Sequence, residues 1–404
     1  MSDSWSDNRA LLEKVRPRVA PIIDSILEER TKVTRTTLLF DLFARLIRSA
    51  HVPLTRATLH LPQLHPQLAA RTLVWELESG GAVELGHEHG VRETEMYQRS
   101  PIKLIYNGRP PIRRHLEDPD CPDDFPVLSD LRMRGFTDYM IRALPFSTGA
   151  RNAVGFATHQ DGGFTDEDFA IIESALPAFG SVLELQHMRS TARILLDTYV
   201  GRDTGGRVLN GAITRGDGEI VHAVLWFCDL RDFTVLSESL PLEEVIALLN
   251  SYFDCVAQPV EAQGGEILKF IGDAMLAIFP CGDSESQMRK AAERACAAAD
   301  GAIAALAAAN RERESDGQPP IRCGIALHIG EVLYGNIGSA SRLDFTVVGP
   351  AVNLVSRLES LCPIHDCPVV VSEAIAKTAM RRFRSLGEHE LKGIIGTAEA
   401  FTFG

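Results

Sequence analysis

The residues best suited to chemistry lie in the second half of the chain. Trp226-Phe227-Cys228-Asp229 is an apolar run ending in a carboxylate, and Leu230-Arg231-Asp232-Phe233-Thr234 leads into a helix-forming segment. A carboxylate at the carboxyl end of a strand, beside the free N–H groups of a helix start, can hold a divalent cation and a polyphosphate. Taken alone, the same aspartate could simply cap the helix. Asp273 stands in Gly272-Asp273 between two apolar runs, a tight-hairpin signal in which aspartate is an ordinary turn residue. Together, two carboxylates on neighbouring strand ends make a two-metal site for phosphoryl chemistry, suited to hard ions such as Mg2+ or Mn2+. Lys269 interrupts the apolar run before Asp273 and is costly there unless it snorkels or meets a partner. In the third pattern, Phe345 to Glu359, Pro350 can open a helix on which Asn353 and Arg357, four apart, share one face. An amide and a guanidinium so placed could grip a ribose and a phosphate; otherwise they form an exposed polar stripe.

These groups need a scaffold, and the length of 404 residues suggests two domains or three. In the second half, strand-like runs (221–228, 266–270, 274–279, 322–329, 344–348) alternate with helical ones (242–263, 284–313). That order predicts an α+β domain with a sheet covered by helices. Ahead of it, residues 199–220 hold six glycines and read as a hinge. Residues 8–50 read as helical, and 53–165 as short strands (57–61, 71–76, 139–145, 153–158) between Pro- and Gly-rich turns. Thr165 caps a long helix with an acidic first turn, whose apolar spacing suits a core face or a parallel dimer seam.

The formal net charge of -13 and a pI near 5.4 argue against a nucleic-acid partner. An anionic nucleotide is still compatible with local cations and a metal. The eight cysteines form no CxxC pair and no zinc spacing, and Cys362 and Cys367 are the closest two. The polar, acidic start and the lack of a long apolar run predict a soluble chain, no membrane partner and a reduced, cytoplasmic setting. His60, His65, His87 and His89 fall in stretches that read as loops, where surface histidines are the default over a haem or metal site.

Together, the three patterns resemble the class III adenylyl and guanylyl cyclase catalytic domain over roughly residues 219 to 404. The resemblance implies a ferredoxin-like, palm-type fold: an antiparallel-rich sheet with covering helices. It implies that Asp229 and Asp273, with the Leu230 carbonyl, hold two Mg2+ (or Mn2+) ions per site. It casts Lys269 and Thr346 as the purine-reading pair, Asn353 and Arg357 as the catalytic pair, and Arg342 and Lys392 as triphosphate contacts. Phe233 and Thr234 join these as substrate-binding residues. Thr346 stands where many relatives carry aspartate, and looks like the subgroup that pairs lysine with threonine. On physical grounds adenine still fits: Lys269 can donate to a ring acceptor and the threonine hydroxyl can accept from the exocyclic amine.

The resemblance further implies ATP as substrate and a homodimer with sites shared between subunits. Residues 51–198 look similar to an α/β GAF-like sensory or dimerisation domain with an exit helix, preceded by a helical segment (1–50). The hinge (199–220) and the catalytic domain (221–404) follow. A non-catalytic nucleotide-binding module and a guanylate cyclase remain as alternatives. The Gly-Gly-Asp/Glu-Glu-Phe hairpin of diguanylate cyclases is replaced by Ile271-Gly272-Asp273-Ala274-Met275.

Overall fold

The computed structural model describes residues 3–32 and 35–404, which divide into two compact units on either side of Leu195 and Leu196. The first unit holds helices Asp3–Glu28 and Thr36–Ser49, six strands and the greater part of the long helix Asp166–Val200. The strands are β1 (Arg56–Pro62), β2 (Leu68–Glu76), β3 (Val83–Glu88), β4 (Ile112–His115), β5 (Asp138–Pro145) and β6 (Arg151–Thr158). They form one antiparallel sheet in the order β3-β2-β1-β6-β5-β4. Alternate residues of β1 and β2, including Leu59 and Leu73, face a core filled by Phe40, Phe43, Phe179 and Leu183. Phe43 and Phe179 stack with ring centroids 4.2 Å apart. Thr165 does cap the long helix: its hydroxyl accepts from the Asp168 N–H at 3.2 Å, and Asp168 accepts from the Thr165 N–H at 2.9 Å.

The histidines correct the sequence reading, because His60 lies within β1 and His87 within β3. The His60 ring nitrogens sit 3.0 Å from the Thr72 hydroxyl and 3.2 Å from that of Thr58, and His87 reaches Thr72 at 2.9 Å. Burial, and then the charges of His87 and Arg56, lower the His60 pKa to about 3. The unfolded chain binds that proton near pH 6.5 and the folded one only near 3. Stability is therefore complete above about pH 6.5 and drains as pH falls below it, by about 1 to 2 kcal/mol at pH 5. Hydrogen exchange of the β1 and β2 amides should accelerate between pH 7 and 5 beyond the intrinsic rate, and His60→Gln should flatten that response. An unchanged response in the variant excludes His60 as its source.

The second unit carries a short helix, Arg202–Leu209, then β7 (Gly218–Leu230), β8 (Glu266–Ile271), β9 (Ala274–Cys281) and β10 (Cys323–Gly338). β11 (Leu343–Val348), β12 (Val369–Ser372), β13 (Phe383–Glu390) and β14 (Thr397–Phe403) complete its sheet. The strand order is β13-β14-β12-β10-β7-β9-β8, with β11 paired to β10. Only the β10–β12 pairing is parallel, so the sheet is antiparallel-rich and helix-covered, an α+β architecture. On one face Val224, Trp226 and Cys228 meet helices Leu242–Ala262 and Glu285–Ser315, whose alanines (Ala291, Ala295, Ala298) allow close approach. On the other face Ala223 and Leu225 meet Val355 and Leu358 of helix Pro350–Glu359.

The segment read as a hinge is also more ordered than its glycines suggest. Helix Arg202–Leu209 buries Thr204, whose hydroxyl donates to the Glu266 carboxylate at 3.2 Å, and Tyr334 donates to the same oxygen at 2.6 Å. Gly205 serves close approach there rather than flexibility, since a Cβ would lie 3.0 Å from the Asp197 carboxylate and 3.1 Å from Leu196.

Candidate active site

The sheet register brings the two aspartates together. In the antiparallel β7–β9 pair Cys228 lies opposite Met275. Asp229, one residue onward in β7, and Asp273, in the turn before β9, therefore emerge at the same end. Ile271 pairs with Ala274, so Gly272-Asp273 is the two-residue hairpin loop that its sequence predicts, with Gly272 left-handed at φ 66°. The carboxyl of Asp229 is pushed up to about 6, first by burial, then by the charge of Asp273 and a hydrogen bond to it. Two like charges held this close, with a partly dehydrated carboxyl between strands, form a donor set suited to a divalent cation. Among the described residues no group of three or more His, Cys, Asp or Glu is arranged around a metal position, so the aspartate pair and nearby backbone carbonyls such as that of Leu230 are the donors on offer.

Sequence reasoning missed a third acidic group, Glu359. Burial, then Asp229, push its carboxyl up to about 7, with Asp273 adding to the shift and Arg231 opposing it. Gly324 is the register partner of Asp229, and a Cβ on it would sit 2.1 Å from a Glu359 oxygen. The missing side chain leaves the room that this carboxylate occupies. The available signal was spacing: Glu359 is two residues from Arg357, which turns it by about 200° on a helix, to the opposite face. Arg231 donates to the Cys367 carbonyl at 2.7 Å and lies 3.8 Å from Asp366, while its Nε is buried without a partner.

The remaining expected residues divide by setting. Lys269 is half-buried on β8. Thr346 sits opposite Gly335 on β11, a strand that touches β8; its hydroxyl is buried and has no hydrogen-bond partner. A buried hydroxyl without a partner is uncommon in a folded protein and consistent with a ligand contact. Asn353 and Arg357 are exposed on helix Pro350–Glu359, as the four-residue spacing predicts. Arg342 is exposed just before β11, and Lys392 is exposed in the turn between β13 and β14. Phe233 and Thr234 open helix Phe233–Ser239 behind Asp232, which is left-handed at φ 61° and makes no side-chain cap. Among the described residues no side-chain hydrogen bond or ion pair joins Lys269, Arg342, Asn353, Arg357 or Lys392 to the aspartates. The chain thus gathers the acidic groups at one sheet end, while the side chains of these other polar residues have no hydrogen-bond or ion-pair partner among the described residues.

Residues 219–403 match the family described as the adenylate and guanylate cyclase catalytic domain. An adenylate cyclase of Anabaena cylindrica is 35% identical over 155 residues, covering 37% of this chain and 29% of that protein. Adenylate cyclase 1 of Rhizobium meliloti (strain 1021) is 35% identical over 171 residues, covering 41% of this chain and 25% of that one. The chain thus spans less than a third of the length of these two curated relatives. The crystal structure of the guanylyl cyclase Cya2 is 34% identical with a TM-score of 0.40, over 46% of this chain and 92% of that one. No described helix is long and apolar enough to cross a membrane. Residues 219–403 thus form a domain of the adenylate and guanylate cyclase catalytic family.

Proposed function

We propose that the chain is an adenylate cyclase, converting ATP to 3′,5′-cyclic AMP and pyrophosphate. The convergence of Asp229 and Asp273 carries this reading. Asp229 and Asp273, with the Leu230 carbonyl, would hold two Mg2+ or Mn2+ ions; when bound, these supply Lewis-acid stabilisation of the phosphates and acidify a nearby hydroxyl. The ribose 3′-oxygen attacks the α-phosphorus in line and pyrophosphate departs. Arg357 offsets the charge that develops on the α-phosphate and Asn353 fixes the ribose, so the protein contributes chiefly position and electrostatics. Arg342 and Lys392 bind the triphosphate, with Phe233 and Thr234 at its approach. The partnerless hydroxyl of Thr346 accepts from the adenine amine while Lys269 donates to a ring nitrogen.

The exposed, partnerless Arg357 favours a homodimer in which each subunit completes the other's site. The first unit is read as a GAF-like sensory domain acting through the helix that leads out of it. Purified protein given ATP or GTP with Mg2+ or Mn2+ should yield cyclic AMP in preference to cyclic GMP. Lys269→Ala should lower kcat/KM for ATP by about 10- to 100-fold, as expected for loss of a charged hydrogen bond in the transition state. Cyclic GMP as the main product would replace the purine assignment. Nucleotide binding without any product would leave a binding module.

A further inference from the structure

We propose that His365 and His389, with the backbone carbonyl of Leu386, form a Zn2+ site that ties the turn after helix Leu361–Ile364 to the edge strand β13. The two Nε2 atoms lie 3.2 Å apart, and the Leu386 oxygen lies 3.1 Å from the His389 Nε2. The rings meet nearly at right angles with centroids 4.9 Å apart, farther than the nitrogens, so both Nε2 atoms are turned inward. Both histidines are half-buried, so neither is sealed from solvent.

Local structure brings the three atoms together. His365 closes its short helix by donating its N–H to the Leu361 carbonyl at 3.0 Å, and the next residue, Asp366, is left-handed at φ 45°. The turn is locked where the Cys367 N–H donates to the Cys362 carbonyl at 3.1 Å. On β13 the register with β14 slips between Ser385 and Gly387, a bulge that leaves Leu386 without a partner in the ladder. Gly387 follows it at φ 89°, and the Leu386 carbonyl faces His389 instead of a neighbouring strand.

Hydrogen bonding alone serves this trio poorly. A carbonyl only accepts, and a neutral imidazole carries one N–H. A proton on the His389 Nε2 would be divided between two acceptors, and a proton on the His365 Nε2 would leave the carbonyl facing a lone pair. A cation takes the lone pairs of all three at once. Zinc bonds of about 2.0–2.1 Å in a tetrahedron set neighbouring donors about 3.3 Å apart, close to the separations found here. Water can fill the remaining position. Imidazole nitrogen suits Zn2+, whereas Mg2+ calls for oxygen donors. Two histidines and one carbonyl fall short of a closed four-ligand structural site, so the ion is exchangeable. None of the three residues has a part in the cyclase reading, and the proposal does not rest on it.

The test titrates Zn2+ into the full chain carrying Asp273→Ala, which keeps the paired aspartates from competing, with Mg2+ in excess throughout. One equivalent should bind by calorimetry. His365→Ala and His389→Ala should each weaken that binding by at least ~10-fold, the lower end of what losing even a supporting partner of a metal ligand costs. His389→Cys exchanges one zinc ligand for another and should bind. Zinc should also slow hydrogen exchange of the β13 amides in the parent and in His389→Cys, and leave both alanine variants unchanged. The proposal is overturned if the parent binds no Zn2+ under excess Mg2+, or if the alanine variants bind it as tightly as the parent. Should an alanine variant fail to fold, His389→Cys decides the matter: folded chain that neither binds Zn2+ nor gains β13 protection counts against the site. Whether the protein makes a cyclic nucleotide has no bearing on any of these readouts.

Discussion

Asp229→Ala and Asp273→Ala should each lower turnover by at least ~1,000-fold, the scale expected when a charge-stabilising group is removed from a phosphoryl-transfer site. Neither should unfold the domain. The carboxyl of Asp229 sits above its usual range because burial and Asp273 disfavour its ionised form. Removing either partner relieves a repulsion, so the metal-free variants should melt no lower than the wild type. The sign with pH follows from the same shift. The unfolded chain releases this proton near pH 4 and the folded one near 6, so metal-free wild type loses stability as pH rises through that window. Asp273→Ala should shrink that loss. Added Mn2+ should raise the melting temperature of the wild type by mass action on the folded state, and do so far less in either variant. Near-wild-type turnover in one purified variant, or an equal Mn2+ shift in all three proteins, would sink the metal assignment.

How far the sequence could lead depended on whether a signal was local. The Gly272-Asp273 hairpin was legible because a two-residue turn between apolar runs dictates its own geometry. Asn353 and Arg357 were legible because helical periodicity fixes which residues share a face. Glu359 was not, because its meaning comes from Gly324 on a distant strand and from Asp229 beside it, a coincidence that no window of sequence contains. The strands β3 and β4 were missed for a different reason. β3 is largely exposed, and β4 is only four residues long, so neither carries the alternation of a half-buried strand. β12 to β14 were missed although Val369, Val370 and Val371 are fully apolar, since so short a run cannot be told from a buried helical turn by periodicity. Gly205 misled in the opposite direction, reading as flexibility where it permits its helix to lie close to Leu196 and Asp197.

Asp273→Ala and Arg357→Ala chains, each inactive alone, should regain activity when mixed. Within one chain the acidic groups meet at the end of β7 and β9, while Arg357 projects from the opposite face of its helix to Glu359 and finds no ion partner among the described residues. A guanidinium that must neutralise an α-phosphate bound at the aspartates can then come from a second copy of the chain, across a two-fold interface in which each subunit completes the other's site. In a mixed dimer one site collects both lesions and the other collects none. Random pairing of equal amounts makes half the dimers mixed, each with one intact site of two, so recovery should approach about a quarter of the wild-type rate. The ratio is informative in itself. A site built within one subunit gives no recovery at any mixing ratio, because every chain carries a lesion in its own site. Slow subunit exchange would delay the gain without lowering its plateau, so co-expression of the two variants and pre-incubation of the purified ones should converge on the same value. A plateau at zero in both formats would rule out the shared site and require Arg357 to act within its own chain.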